Sequence, residues 1–221
     1  MHTRAYLALC LSLLIIFTPA LFRAPAKAND PLKEVSLVID IAKRNLTILN
    51  NGQPWRTYPV AVGMAATPTP VGEWAIIQKD RDWGGGFGTR WLRINVPWGI
   101  YGIHGTNKPS SIGAAASAGC IRLQNRDIEE IYRLVRVGTR VHIVGPLAKT
   151  RVTSPQSMGQ SGQDVQQLQL ALRERGFAPG FLDGRFGEAT RAAVAHLQRH
   201  YGLTVNGRAD DNVLILLGLR R

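Results

Sequence analysis

Val35-Ser36-Leu37-Val38-Ile39-Asp40-Ile41, with Leu46, Ile48 and the turn residues Asn50-Asn51-Gly52 behind it, decides the fold of the larger part of this chain. Val35, Leu37, Ile39 and Ile41 alternate with more polar neighbours, and Leu46 and Ile48 continue the period after a short break, as in a half-buried strand. Asn-Asn-Gly tolerates the positive φ that a tight hairpin needs. Working outward, residues 58–62 form another β-rich run. Thr67-Pro68-Thr69-Pro70-Val71-Gly72 interrupts it, because proline removes a ladder donor and restricts its neighbour. Residues 73–78 resume a strand. The aromatic, glycine-rich stretch Trp83-Gly84-Gly85-Gly86-Phe87-Gly88 lacks the lysine and helix context of a phosphate-binding loop, so no nucleotide site is read there.

After Asn125, Ile128, Ile131, Tyr132 and Val135 share one helical face, Gly138 ends the helix, and Val141 and Ile143 begin a last strand. His142 is expected to point outward from a strand edge. Residues 33–145 therefore read as one mainly-β domain. Residues 146–160, rich in Pro, Ser, Thr, Gln and Gly, read as a linker long enough to let its neighbours reorient. Residues 161–219 read as a small all-α, three-helix domain. Val165, Leu168 and Leu172 form one stripe, Ala193, Leu197 and Tyr201 another, and a short third helix spans about residues 210–217. A phrase recurs between helices: Asp183-Gly184-Arg185-Phe186-Gly187, then Asn206-Gly207-Arg208. The fold class is multidomain, mainly β followed by all α.

The amino terminus has Arg4, an apolar run over residues 5–17, Pro19, and the small-x-small triplet Ala26-Lys27-Ala28. That run is too short to span a bilayer and has the flanks of a secretory signal, so residues 1–28 are expected to be cleaved, with no stable membrane insertion afterwards. Cleavage leaves 193 of 221 residues and, by removing Arg4, Arg23 and Lys27, lowers the formal charge from +12 to +9. A chain this basic suits polyanionic surroundings. No nucleic-acid recognition motif accompanies the charge, and export argues against such a partner; a cell wall fits.

Cysteine usage is sharper. Cys10 leaves with the signal, so the exported chain holds a single thiol, Cys120. Exported proteins normally pair their cysteines, and a lone one marks a reactive thiol or an intermolecular partner. Its surroundings are Ile103-His104-Gly105-Thr106 and Ser117-Ala118-Gly119-Cys120-Ile121-Arg122-Leu123, with Cys120 16 positions after the histidine. Thiols act as thiolates, and an imidazole in reach takes the proton or stabilises the ion pair. Gly105 and Gly119 let backbone approach a substrate, the Cys120 amide can meet an oxyanion, and Arg122 can hold a carboxylate. His196 and His200, at i, i+4, have metal-compatible spacing but lack the glutamate of a zinc-protease helix, so no metal or cofactor is expected.

On these residues, 33–145 resembles the L,D-transpeptidase (YkuD) catalytic domain. The match runs through His104, Gly105, Thr106, Gly113, Ser117, Gly119, Cys120 and Arg122, with Thr69-Pro70-Val71-Gly72 as a second segment. One departure stands out: Ala118 occupies the place of the family's second histidine. The helical part is similar to the type 1 peptidoglycan-binding domain through its Asp-Gly-x-Phe-Gly phrase. The resemblance implies Cys120 as nucleophile, His104 as proton donor and acceptor, and Gly105, Ser117, Gly119 and Arg122 around substrate and oxyanion. It implies as partners peptidoglycan stem peptides and glycan, and as location the cell wall or periplasm. The reaction implied is 3→3 cross-linking with release of D-alanine. An L,D-carboxypeptidase acting on the same bond and, because of Ala118, a non-catalytic wall-binding protein remain the alternatives.

Overall fold

The computed structural model describes residues 33–147 and 152–220; the expected signal segment, Cys10 and residues 148–151 of the expected linker lie outside them. β1 (Val35–Asp40) and β2 (Asn45–Asn50) pair antiparallel, with Leu37 opposite Ile48 and Ile39 opposite Leu46, all fully buried. The Asn51-Gly52 turn, both residues at positive φ (50° and 73°), leads into β3 (Gln53–Pro59). β4 (Val62–Gly63) and β8 (Ala115–Ser117) form a separate two-stranded parallel pair. β5 (Gly72–Asp80), β6 (Trp91–Ile94) and β7 (Tyr101–His104) run as an antiparallel meander, and the short β9 (Ile121–Arg122) pairs parallel to β7. α1 (Asn125–Leu134) follows, and β10 (Arg140–Val144) returns between β1 and β5. The eight strands lie in the order β3-β2-β1-β10-β5-β6-β7-β9.

The placement of β10 corrects the expectation for His142. Its strand is interior, with His142 opposite Val38 on one side and Glu73 on the other.

Strand alternation sorts β6, β7 and β9 into two faces. Leu92, Ile94, Ile103 and Ile121 join one core with Ile128 and Ile131 of α1. Each such side chain contributes roughly 1.5–3 kcal/mol by leaving water. The Lys79 ammonium fixes the end of α1, donating to the carbonyls of Tyr132 (2.8 Å) and Val135 (2.5 Å), where the helix dipole favours a cation. Trp91, Arg93, Gly102 and His104 occupy the other face.

In the helical domain α2 (Gln163–Glu174), α3 (Glu188–His200) and α4 (Asp211–Leu216) enclose a second core of Val165, Leu168, Leu172, Val194, Leu197, Val213 and Leu214. Tyr201 does not extend the α3 stripe. The helix ends at His200, Gly202 turns the chain at φ 67°, and the tyrosine is 46% exposed. The recurring phrase has a common physical cause. Buried Gln169 accepts from Gly184 N (2.9 Å) and donates to Asp183 and the Arg185 carbonyl. Buried Gln198 likewise accepts from Asn206 N and Gly207 N (3.0 and 2.9 Å) and donates to Asn206 and the Arg208 carbonyl. α2 and α3 thus each hold one Asx-Gly turn by one glutamine.

Packed structure reaches back into the linker. Val152 is buried in the second core, and Gln156 exchanges backbone bonds with Ala209 (3.0 and 2.9 Å). The two domains touch where free reorientation was expected. Gln166 Nε2 bridges the carbonyls of Val71 (2.8 Å) and Leu182 (2.7 Å), and Gly184 rests on the Trp98 ring so closely that a Cβ would lie 2.3 Å from it. Among the described residues no helix is long and apolar enough to cross a membrane.

Candidate active site

Ile103 lies opposite Ile121 and His104 opposite Arg122 in the parallel ladder of β7 and β9. Partners in a ladder share a face, and so do residues two apart on one strand. Gly102, His104, Cys120 and Arg122 therefore stand on the same side of the sheet, with Cys120 beside Gly102, whose N–H is directed at the sulfur. The antiparallel register of β6 adds Trp91 opposite His104 and Arg93 opposite Gly102.

The turn before Cys120 is rigidly built. Ser117 is buried; its hydroxyl donates to the Cys120 carbonyl (2.6 Å) and accepts from Gly119 N (3.1 Å). Gly119 sits at φ 112°, which L side chains avoid, and a Cβ there would lie 2.7 Å from the Tyr101 ring. The Thr-Pro segment braces the same turn, since Thr67 Oγ1 and Met64 N both donate to the Ser117 carbonyl. Arg122 Nη1 donates to Ala116 O (3.1 Å), so part of this guanidinium holds the turn.

His104 is 2% exposed. Its Nδ1 lies 2.5 Å from the Gly105 carbonyl, and a carbonyl only accepts, so Nδ1 carries the proton and Nε2 is left as the basic nitrogen. Phe87 meets the imidazole edge to face at 5.0 Å, Trp91 flanks it at 5.5 Å, and Trp83 stacks on Trp91 at 5.0 Å. Burial pushes the His104 pKa down to about 4, with Arg122 acting in the same direction; the carbonyls of Gly105 and Phe87 oppose it. Burial also raises the Cys120 pKa, offset in part by the Gly102 N–H and by Arg122. Both shifts favour the uncharged forms, thiol and imidazole. That arrangement suits proton transfer during attack better than a standing ion pair.

The expected residues thus gather, with two adjustments of role. Gly105 N donates to Arg90 O (3.2 Å), so its contribution to the site is its carbonyl. The Gly119 N–H goes to Ser117, which leaves the turn shaped around the Cys120 amide. Ala118 is solvent-exposed, so the absent second histidine leaves no hole in the protein. His196 and His200 lie far along the sequence on α3 and pack edge-on against Phe177 at 5.2 and 5.9 Å.

The sequence reading missed Asn125. Its Oδ1 accepts from Thr106 N (3.0 Å) and Thr89 N (3.3 Å), and a Cβ on either Gly88 or Gly105 would lie 2.2 Å from that oxygen. One amide oxygen therefore clamps the segments on both sides of His104. Phe87 and Trp91 were missed too; the paired glycines at 88 and 105 were the available signal for a close crossing. A cavity of about 630 Å³ around Ser36, Leu49, Arg136 and His142 includes neither Cys120 nor His104.

Comparison with known proteins places both domains in described families. The family "L,D-transpeptidase catalytic domain" matches residues 34–143, and the family "Putative peptidoglycan binding domain" matches residues 161–217. The YkuD protein of Bacillus subtilis is 47% identical over 107 residues, covering 48% of this chain and 64% of its own length. The YkuD protein of Bacillus licheniformis is 45% identical over 119 residues, covering 54% of this chain and 71% of its own. Among solved structures, an L,D-transpeptidase from Mycobacterium smegmatis superposes with a TM-score of 0.46 at 25% identity, over 51% of this chain and 59% of that one.

Proposed function

The chain belongs to the YkuD family of L,D-transpeptidases, and from that premise we propose that it cross-links peptidoglycan through a thioester on Cys120. The observation that carries this reading is the β7–β9 register, which brings a thiol, an imidazole and a guanidinium to one sheet face.

In the first half-reaction His104 Nε2 takes the Cys120 proton as sulfur attacks the carbonyl between an L-centre residue of the stem and its terminal D-alanine. The S–C bond forms, the C–N bond breaks, and His104 returns the proton to the departing amine. In the second half an amine of a neighbouring stem attacks the thioester, gives its proton to His104, and restores the thiol, leaving a 3→3 cross-link. The Cys120 amide, set by the Gly119 turn, donates to the oxyanion in both halves. Arg122 stabilises the thiolate as it forms. The aromatic cover of Phe87, Trp91 and Trp83 limits water near His104, which favours an amine acceptor over hydrolysis. The helical domain tethers the enzyme to the wall after export, raising local substrate concentration.

Incubating the protein with disaccharide-tetrapeptide muropeptides and weighing the products tests this. Cross-linked dimers with loss of D-alanine are expected; tripeptides alone would indicate a carboxypeptidase, and unchanged substrate would overturn the enzymatic reading.

A further inference from the structure

Arg93 stands on the site face and has no part in the steps above. It pairs with Gln78 of β5 on one side and Gly102 of β7 on the other, and Gly102 lies beside Cys120. Gln78, Arg93, Gly102 and Cys120 therefore form one cross-strand row. With strands about 4.8 Å apart, the Cα atoms of Arg93 and Cys120 are about 10 Å from each other. The residue between them has no side chain. The edge of the Trp91 indole fills that space, 2.6 Å from where a Gly102 Cβ would be. An arginine and a cysteine thus flank an aromatic floor.

The arginine is half-buried, and its Nε is shielded from solvent without a hydrogen-bond partner. It enters none of the ion pairs of the described residues. Asp80, one row along on β5, instead accepts from Gln78 Nε2 (2.9 Å). A buried guanidinium nitrogen without an acceptor is unfavourable, and a carboxylate satisfies it with two parallel bonds. Arg122, the other cation of this face, already donates to Ala116.

We propose that Arg93 forms a carboxylate-binding subsite, recognising the free terminal carboxylate of the donor peptide beside the bond that Cys120 attacks. This rests on the functional reading above. One residue, about 3.5 Å of chain, separates the attacked carbonyl from that carboxylate, and the arginine side chain bridges the remaining distance across the Trp91 edge. The subsite selects donors that end in a free carboxylate over amidated ones.

The test uses N-acetyl-L-lysyl-D-alanine and its C-terminal carboxamide, titrated by calorimetry into the full chain. The acid is expected to bind at least about tenfold more tightly than the amide, Arg93→Gln to remove that preference, and Arg93→Lys to keep part of it. An unmutated chain that binds both alike, or an Arg93→Gln chain that still discriminates, overturns the subsite. Should Arg93→Gln not fold, alkylation of Cys120 in the unmutated and Arg93→Lys chains decides. Iodoacetate must gain on iodoacetamide relative to free cysteine at the same pH, and an equal ratio overturns the proposal. An Arg93-dependent preference without cross-linked product would retain the subsite and sink the transpeptidase reading. Equal turnover of acid and amide donors would do the reverse.

Discussion

The two faces of β6, β7 and β9 are made by the same short strands and obey different rules. Leu92, Ile94, Ile103 and Ile121 on one face are interchangeable in kind: apolar, fully buried or nearly so, and packed on α1. Trp91, Arg93, His104 and Arg122 on the other face are chemically individual, and their neighbours are specified one by one. The first face holds the sheet together. The second uses the rigidity so obtained to fix a thiol and an imidazole, as a site built on regular elements requires.

The sharpest attack on this division is His104→Gln, which keeps the size of the side chain but removes the base. The fall in kcat should be about 10²–10⁴-fold in a muropeptide assay, with the melting curve little changed. Ile131→Ala, on the core side, should reverse the pattern. It should cost about 2–5 kcal/mol in denaturant unfolding while the folded fraction keeps its kcat. If that substitution lowered kcat per folded molecule instead, the two faces would not be separable.

Acid offers a third test. The folded chain holds His104 neutral down to about pH 4, whereas an unfolded histidine protonates near 6.5. Between those values the unfolded state binds more protons, so stability falls as pH falls through that window and is fully present above it. The loss should approach about 3 kcal/mol, and His104→Gln should abolish it in unfolding titrations. The smallest effect belongs to Asn125→Ala. Releasing the segments on both sides of His104 should lower kcat about ten- to a hundredfold with KM unmoved, and Asn125→Asp, which retains the acceptor, should recover most of it.

The core face was the more legible in sequence. Alternation at Val35, Leu37 and Ile39 and the Asn-Asn-Gly turn gave strands that pair as read. The spacing of Ile128 and Ile131 gave α1. Cys120 and His104 stood out as well, because a thiol with glycines and a histidine close by is chemically distinctive, and the register sets both on one face. Asn125, Phe87 and Arg93 were not. Their roles arise from partners far off in sequence, through a register that local pattern does not encode. The interior position of β10 escaped for the same reason, since its neighbours β1 and β5 precede it by many residues. The docking of the two domains escaped because Gln166 reads as one more helical glutamine until Val71 is beside it.

The central claim meets its most direct test in the intact mass of the protein, acid-quenched within the first turnover of a tetrapeptide donor. The account predicts an adduct equal to the donor less D-alanine, labile to hydroxylamine as a thioester is, mapped to Cys120 and missing in Cys120→Ala. An adduct that persists in Cys120→Ala, or product formed by that variant, would contradict it.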